Sequence, residues 1–273
     1  MKMTADKTIR IGTLGSAATF AGEATASMRK LYPEFSEAVY FPSMNDCWLE
    51  LKRGTVDAVI LGVERTGQPH IGYPVIAHGC HVIGEFSQPL NCSLYVKPGT
   101  QKSSVRKISG HGSIFQCAVY LERNFPGVPR EAHGLNSVAA AKAMLDGDGT
   151  LAVVGSSSLP REVSGLETLA TAIDDGAIAS WWAVANQPLF SDTPDIIVIA
   201  LRCGPDRRLG TLIAAIHETG YVLQTAASFP VNNGLSVYDY ILTFGGKGTR
   251  SSVQTVVARF SGSRLAGAFD RRG

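Results

Sequence analysis

The sequence predicts an α/β architecture followed by a small α+β unit, and three patterns carry that expectation. Over residues 1–185, apolar strand-like runs alternate with helical stretches, the order that builds parallel sheets covered by helices. Beyond Thr193-Pro194 the order becomes β-α-β-β-α-β, which is ferredoxin-like. Polar residues gather just after the apolar strands (Thr19; Glu64 and Thr66; Ser109; Asn136 and Ser137; Ser156), where doubly wound sheets bind their ligands.

Each element has its own reason. Thr8 to Leu14 reads as a strand, Gly15 to Thr19 as a small-residue loop, and Phe20 to Leu31 as a helix. Thr19 stands where an N-cap belongs, with Glu23 following in the first turns. A strand, a small loop and a helix start together offer backbone N–H groups to an anion. The loop does not match G-x-G-x-x-G, so nucleotide binding draws little support from it. Asn45 to Lys52 looks helical, and Val56 to Gly62 is a continuous apolar strand followed directly by Glu64, Arg65 and Thr66. Val75 to Ile83, Cys92 to Val96 and Lys107 to Ser109 read as strands, then Gly110-His111-Gly112 leads to a helix from Ser113 to Asn124. A short strand near Ala132 to Leu135, a helix capped by Ser137 and running to Leu145, and a strand at Leu151 to Val154 follow. Leu166 to Ala170 then leads into Ile178-Ala179-Ser180-Trp181-Trp182-Ala183-Val184-Ala185. That last run is apolar enough for a buried strand. Neighbours on a strand face opposite ways, so only one tryptophan shares a face with Ala179, and Ser180 points to the other. In the final unit, strands at Asp195–Leu201, Tyr221–Phe229, Tyr238–Phe244 and Arg264–Phe269 enclose helices at Arg208–Glu218 and Ser251–Phe260. Leu209, Leu212, Ile213 and Ile216 share one helical face, and Val253, Val256, Val257 and Phe260 another.

Composition narrows the function classes. With 273 residues, 45% of them hydrophobic and 18% charged, the chain has ample material for one large or two ordinary domains. A net charge of +2 argues for neither nucleic acid nor a membrane surface as partner. No apolar run is long enough to span a bilayer, and residues 1–10 lack a secretion signal, which leads us to expect a cytoplasmic protein. Cys47, Cys80, Cys92, Cys117 and Cys203 are odd in number and widely spaced, so they read as reduced core thiols, with no metal or cofactor implied. Asp270-Arg271-Arg272-Gly273 reads as a frayed tail.

Several of these segments resemble the motifs of one family. Leu14-Gly15-Ser16-Ala17-Ala18-Thr19-Phe20 is similar to the Gly-Pro-x-Gly-Thr-Phe opening of the prephenate dehydratases, with the proline and second glycine replaced. Leu61-Gly62-Val63-Glu64-Arg65-Thr66 resembles their Pro-Ile-Glu-Asn-Ser element, keeping Glu64 but placing Arg65 and Thr66 after it. The segment from Ser109-Gly110-His111-Gly112 to Gln116-Cys117, then Asn136-Ser137-Val138-Ala139-Ala140-Ala141-Lys142, Gly155-Ser156 and Gly165-Leu166-Glu167, follow the family order. The resemblance implies a two-lobed, periplasmic-binding-protein-like catalytic domain over residues 1–190 and an ACT-like regulatory domain over 195–273. It also implies a lyase without a cofactor, acting on a small dicarboxylate and assembled as a homodimer or homotetramer. Thr19, Phe20, Arg65, Thr66, Ser109, Ser137, Ser156, Ala179 and Trp181 are then the expected substrate-binding positions.

Where the family carries Thr-Arg-Phe, this chain has Ala179-Ser180-Trp181. Dehydration of prephenate couples loss of carbon dioxide to expulsion of the ring hydroxyl, which needs a proton donor worth about 10²–10⁴-fold. Alanine cannot supply it. The prephenate decarboxylases of this superfamily keep the hydroxyl and likewise resemble this chain in having Ser-Trp. Glu64 is the expected proton donor or relay, His111 a second candidate, and Ser180 the substitute acid if the chain is an ordinary dehydratase. Arg65 is the candidate carboxylate clamp in place of the lost arginine. In the ACT-like part, Gly210-Thr211-Leu212 and Ala227-Ser228-Phe229-Pro230 stand where the family binds phenylalanine through Gly-Ala-Leu and Glu-Ser-Arg-Pro. Gly210, Leu212 and Ser228 would form a degenerate effector site, with feedback inhibition weak or absent. Three readings stay open: a non-aromatising decarboxylase, a prephenate dehydratase, and a non-catalytic small-anion-binding protein.

Overall fold

β1 (Ile9–Leu14) lies between two parallel neighbours, β2 (Phe35–Phe41) and β3 (Ala58–Arg65). The helices α1 (Phe20–Leu31) and α2 (Met44–Arg53) form the connections. These coordinates are a computed structural model and describe residues 8–65, 75, 78–132, 137–204, 206, 208–231 and 235–272. Helix α1 starts for the expected reason: Thr19 is extended, and its hydroxyl accepts the Gly22 N–H at 3.2 Å. Helix α2 is capped by Ser43 and closed by Gly54 in the left-handed region at φ 74°. Strand β2 carries no clear sequence signal, because it lies at the sheet edge and all of it beyond Phe35 is partly or fully exposed.

β4 (His81–Pro89) leads to a second lobe, whose sheet has the order β7-β6-β8-β5-β9. Its members are β5 (Cys92–Val96), β6 (Lys107–Gly110), β7 (Arg130–Ala132), β8 (Leu151–Ser156) and β9 (Glu167–Ala170). Helices α3 (Ala118–Asn124) and α4 (Ser137–Asp146) belong to this lobe. The chain then returns through β10 (Ile178–Ala185), which slots between β4 and β3 antiparallel to both. The expectation of purely parallel sheets therefore fails. A strand that re-enters the first lobe from the second runs against its neighbours, and β5 pairs antiparallel with β8 and β9. The two lobes themselves match the expected two-lobed α/β class.

Three local expectations also shift. The strand read at Val75–Ile83 lies instead at His81–Pro89, while Val75 and His78 are helical. Its second half is polar and half-exposed, so apolar continuity did not mark it. The helix read from Ser113 begins as a 3-10 turn (Gly112–Cys117), whose three-residue repeat buries Ile114 and Cys117 together, and becomes α-helical only at Ala118. The strand read near Ala132 to Leu135 starts earlier, at Arg130, and beyond Ala132 residues 133–136, Asn136 among them, lie outside the described residues.

The last unit comprises β11 (Ile196–Cys203), α5 (Arg208–His217), β12 (Tyr221–Pro230), β13 (Tyr238–Gly246), α6 (Arg250–Val257) and β14 (Ser263–Phe269). Its antiparallel order, β12-β13-β11-β14, is ferredoxin-like. Asn232, Asn233 and Gly234 lie outside the described residues. Ile197, Ile199, Leu212, Ile216, Phe244 and Val253 give it a core of its own. β14 also touches β4 at Gly267, opposite Val82, which merges both parts into one nine-stranded sheet. A Cβ at Gly267 would lie 2.9 Å from the Val82 carbonyl oxygen, so glycine permits that approach.

The segment after β14 is not a frayed tail. The Arg271 backbone N–H donates to Asp195, and its side chain reaches Glu85 and Gln224. Arg272 pairs with Glu34 at 2.9 Å. Partners on β4, on β12 and in the turn after α1 hold a segment that composition alone marks as free. All five cysteines are free thiols and buried, and burial pushes Cys47 up to about 12. No helix among the described residues is long and apolar enough to cross a membrane.

Candidate active site

A cavity of about 260 Å³ opens between the lobes at the start of α1. Leu14, Phe20, Ile60 and Trp181 supply apolar wall, while Thr19, Arg65, His111 and Ser137 supply polar groups. No carboxylate stands among the described lining residues. Sequence reading placed Thr19, Phe20, Arg65, His111, Ser137 and Trp181 here, and the fold brings those six together.

The strand pair β3–β10 sets the chemistry of the wall. Trp181 faces Gly62, and Ala179 faces Arg65, but Ser180 pairs with Glu64. Val63 is the extra residue of a β-bulge between these pairs. A bulge resets the alternation of every residue beyond it. Without it, Glu64 would share the face of Gly62 and Ile60. With it, Val63 packs into the core behind the sheet beside Trp182, Glu64 follows on that rear face, and Arg65 turns to the cleft. Glu64 is exposed and absent from the cavity wall. Ser180 is also on the rear face, its hydroxyl 2.8 Å from that of Ser87. Glu64 and Ser180, two of the three candidate proton donors, are thus turned away from the cavity, and His111 lines it.

Arg65 is partly buried, and burial pushes its guanidinium down from its ordinary value, opposed only by the neighbouring Cys92 thiol. Arginine does not give up its proton, so a cation is held here with no carboxylate paired to it among the described residues. Partial burial of an unpaired charge is unfavourable, and an anionic ligand would offset that cost. The guanidinium also spans the cleft: a Cβ at Gly112, in the second lobe, would lie 2.9 Å from its Nη1. Gly112→Ala should push the guanidinium aside and raise the Michaelis constant for the substrate about tenfold (~1.4 kcal/mol) at little cost in thermal stability, as steady-state kinetics and a melting curve would show.

The remaining positions have other duties. The Thr19 hydroxyl donates to the Ser16 carbonyl at 2.7 Å besides capping α1, so it is committed to the loop. Ser156 is fully buried and donates to the Ala18 carbonyl at 3.1 Å, joining the lobes behind the cavity. Glu23 joins them too, accepting the Ser158 N–H at 3.1 Å. Ser109 is buried within β6 and does not line the cavity. Ser137 is the first residue of α4 rather than a preceding cap, and it reaches the wall. Ala179 is fully buried behind Arg65. Thr66 lies outside the described residues. Among wall residues that sequence reading missed, Gly62 has a readable signal: a glycine inside an apolar strand marks a close approach, here the Trp181 ring, 3.2 Å from where a Cβ would sit. Pro42 and Met44 carry none. Trp181 Nε1 is buried with no acceptor among the described residues.

Of the degenerate effector positions, Leu212 lies in the core of the last unit, Gly210 and Ser228 are exposed, and none of the three lines this cavity. Among the described residues no group of three His, Cys, Asp or Glu side chains is placed to hold a metal ion.

A family model described as prephenate dehydratase matches residues 11–188, well over half the chain. The chain belongs to the prephenate dehydratase family. It is 22% identical over 269 residues to the bifunctional chorismate mutase/prephenate dehydratase of Stutzerimonas stutzeri, covering 96% of this chain and 72% of that one. The prephenate dehydratase of Bacillus subtilis is 28% identical over 145 residues, half of each chain. Among solved structures, the prephenate dehydratase of Arthrobacter aurescens in complex with L-Phe superposes with a TM-score of 0.80 at 21% identity, covering 96% of this chain and 90% of that one. This likeness shows the fold, and it spans both the two-lobed prephenate dehydratase part and the ferredoxin-like unit.

Proposed function

We propose that the chain is a lyase that decarboxylates prephenate or a close analogue without aromatising the ring. The observation that carries this reading is the wall around Arg65 and Trp181, with Ala179 buried behind Arg65. Its described residues offer one guanidinium and no carboxylic acid, with alanine at the position expected to protonate the departing hydroxyl. In the proposed reaction the bond between the ring and its carboxylate breaks, carbon dioxide leaves, and the electron pair moves into the diene. A ring carbon takes up one proton, and the hydroxyl stays. The product is a dihydro-4-hydroxyphenylpyruvate.

Arg65 anchors one carboxylate of the substrate, which in this assignment is that of the pyruvyl arm. The ring carboxylate then lies against Phe20, Ile60 and Trp181, where loss of water destabilises the anion relative to neutral carbon dioxide. His111 supplies the proton, since an imidazole suits transfer near neutral pH. The same proposal divides the chain near residues 190–195 and gives the ferredoxin-like unit an ACT-like role in assembling a dimer. Its separate core and the absence of the charged effector pair support that part.

The second reading, an ordinary dehydratase with His111 as acid, draws on the names of the relatives. One incubation with prephenate separates the two. The decarboxylase reading expects carbon dioxide and a non-aromatic keto acid. Phenylpyruvate, strongly absorbing in alkali, would establish the dehydratase reading instead. Prephenate unchanged after long incubation would sink both and leave a binding protein.

A further inference from the structure

A second cavity, of about 230 Å³, lies far from the cleft, where the first lobe meets the ferredoxin-like unit. It shares no lining residue with the first. Helix α1 separates them, with Phe20 at one cavity and Tyr32, its C-cap, at the other. Twelve residues at 1.5 Å each put the two about 18 Å apart.

Aromatic rings and acids make up much of its wall. Tyr32 and Phe35 stack with centroids 5.1 Å apart, and Phe190 and Phe269 also line the cavity. Glu34, Asp192 and Asp270 stand around them, against the single lining cation Arg272. Asp192 is engaged by Arg250 at 2.6 Å. Arg272 itself shows what the seat accepts. Its guanidinium lies 4.6 Å from the centre of the Tyr32 ring, 2.9 Å from the Glu34 carboxylate, and donates to the Leu31 carbonyl at 3.4 Å. An aromatic face, a carboxylate and a helix C-terminus all attract positive charge.

We propose that this junction cavity is a second ligand site, which takes an organic cation with an apolar body, and that Arg272 is its resident competitor. The rings accept the body, and Tyr32 with Glu34 accept the ammonium once the arginine swings out. This proposal stands independently of the reaction in the cleft.

The test uses the full chain and two probes of like size and opposite charge, 2-phenylethylamine and 3-phenylpropionate, with calorimetry as the readout. The amine should bind the native chain, bind Arg272→Ala about tenfold more tightly because the competitor is gone, and bind Glu34→Gln at least about tenfold more weakly. Arg272→Lys, which keeps a competing cation, should stay near the native value. The proposal is overturned if the amine fails to bind Arg272→Ala, or binds Glu34→Gln as well as the native chain. Equal affinity for Arg272→Ala and the native chain would refute the competitor role, and preference for the propionate would refute the charge assignment. Circular dichroism on each variant confirms that a loss of binding is not a loss of fold.

Discussion

Arg65→Ala should lower kcat/KM on prephenate by at least about 100-fold, most of it as a raised KM. The expected size follows from losing a charge-assisted, bidentate contact of about 3 kcal/mol, where each 1.4 kcal/mol is tenfold. The change should appear in KM because a contact to the pyruvyl carboxylate exists in both ground and transition states. Arg65→Lys keeps the charge but loses the fork, so about a tenfold loss is expected. Steady-state kinetics by prephenate consumption decides the matter. If Arg65→Ala stays within a few fold of the native kcat/KM, the guanidinium does not hold the substrate.

The second large effect concerns the proton. His111→Ala should reduce kcat by about 10²–10⁴-fold with little change in KM, because a general acid acts in the transition state and not in binding. Glu64→Gln is the paired control and should remain within a few fold of the native enzyme, since the bulge at Val63 turns that side chain to the rear of the sheet. A large loss in Glu64→Gln together with a silent His111→Ala would reverse the assignment. The double substitution Ala179→Thr with Ser180→Arg should not produce phenylpyruvate. Arginine at 180 would enter on the rear face beside Glu64 and Ser87, and not in the cleft.

What could be read from residues alone was whatever local chemistry decides. The start of α1 was legible because Thr19 and Glu23 mark it, and the last unit because Leu212, Ile216, Val253 and Val257 repeat at helical spacing. Thr19 and Ser137 were legible at the cavity from strand ends meeting helix starts, while Arg65, His111 and Trp181 were expected there from the resemblance to the prephenate dehydratases. Edge strand β2 was missed because exposed residues such as Glu37 and Tyr40 blur its alternation. The docking of Arg271 and Arg272 was missed because their partners, Glu34 and Glu85, are remote in sequence. The rear-facing placement of Glu64 was illegible for a related reason. A bulge exists only relative to a partner strand, and β10 lies more than a hundred residues further along the chain.

That bulge also changes how a shared motif should be compared between relatives. An aligned glutamate is taken to mean the same thing in every chain that has it, yet one unpaired residue upstream decides whether the carboxylate or the neighbouring guanidinium faces the cleft. The stretch Val63-Glu64-Arg65 holds both signs of charge, and the pairing of two strands selects between them. A relative that kept every letter of this stretch but lost the bulge would present a carboxylate to its cleft instead of a guanidinium. Here sequence identity and chemical identity come apart at a single backbone kink.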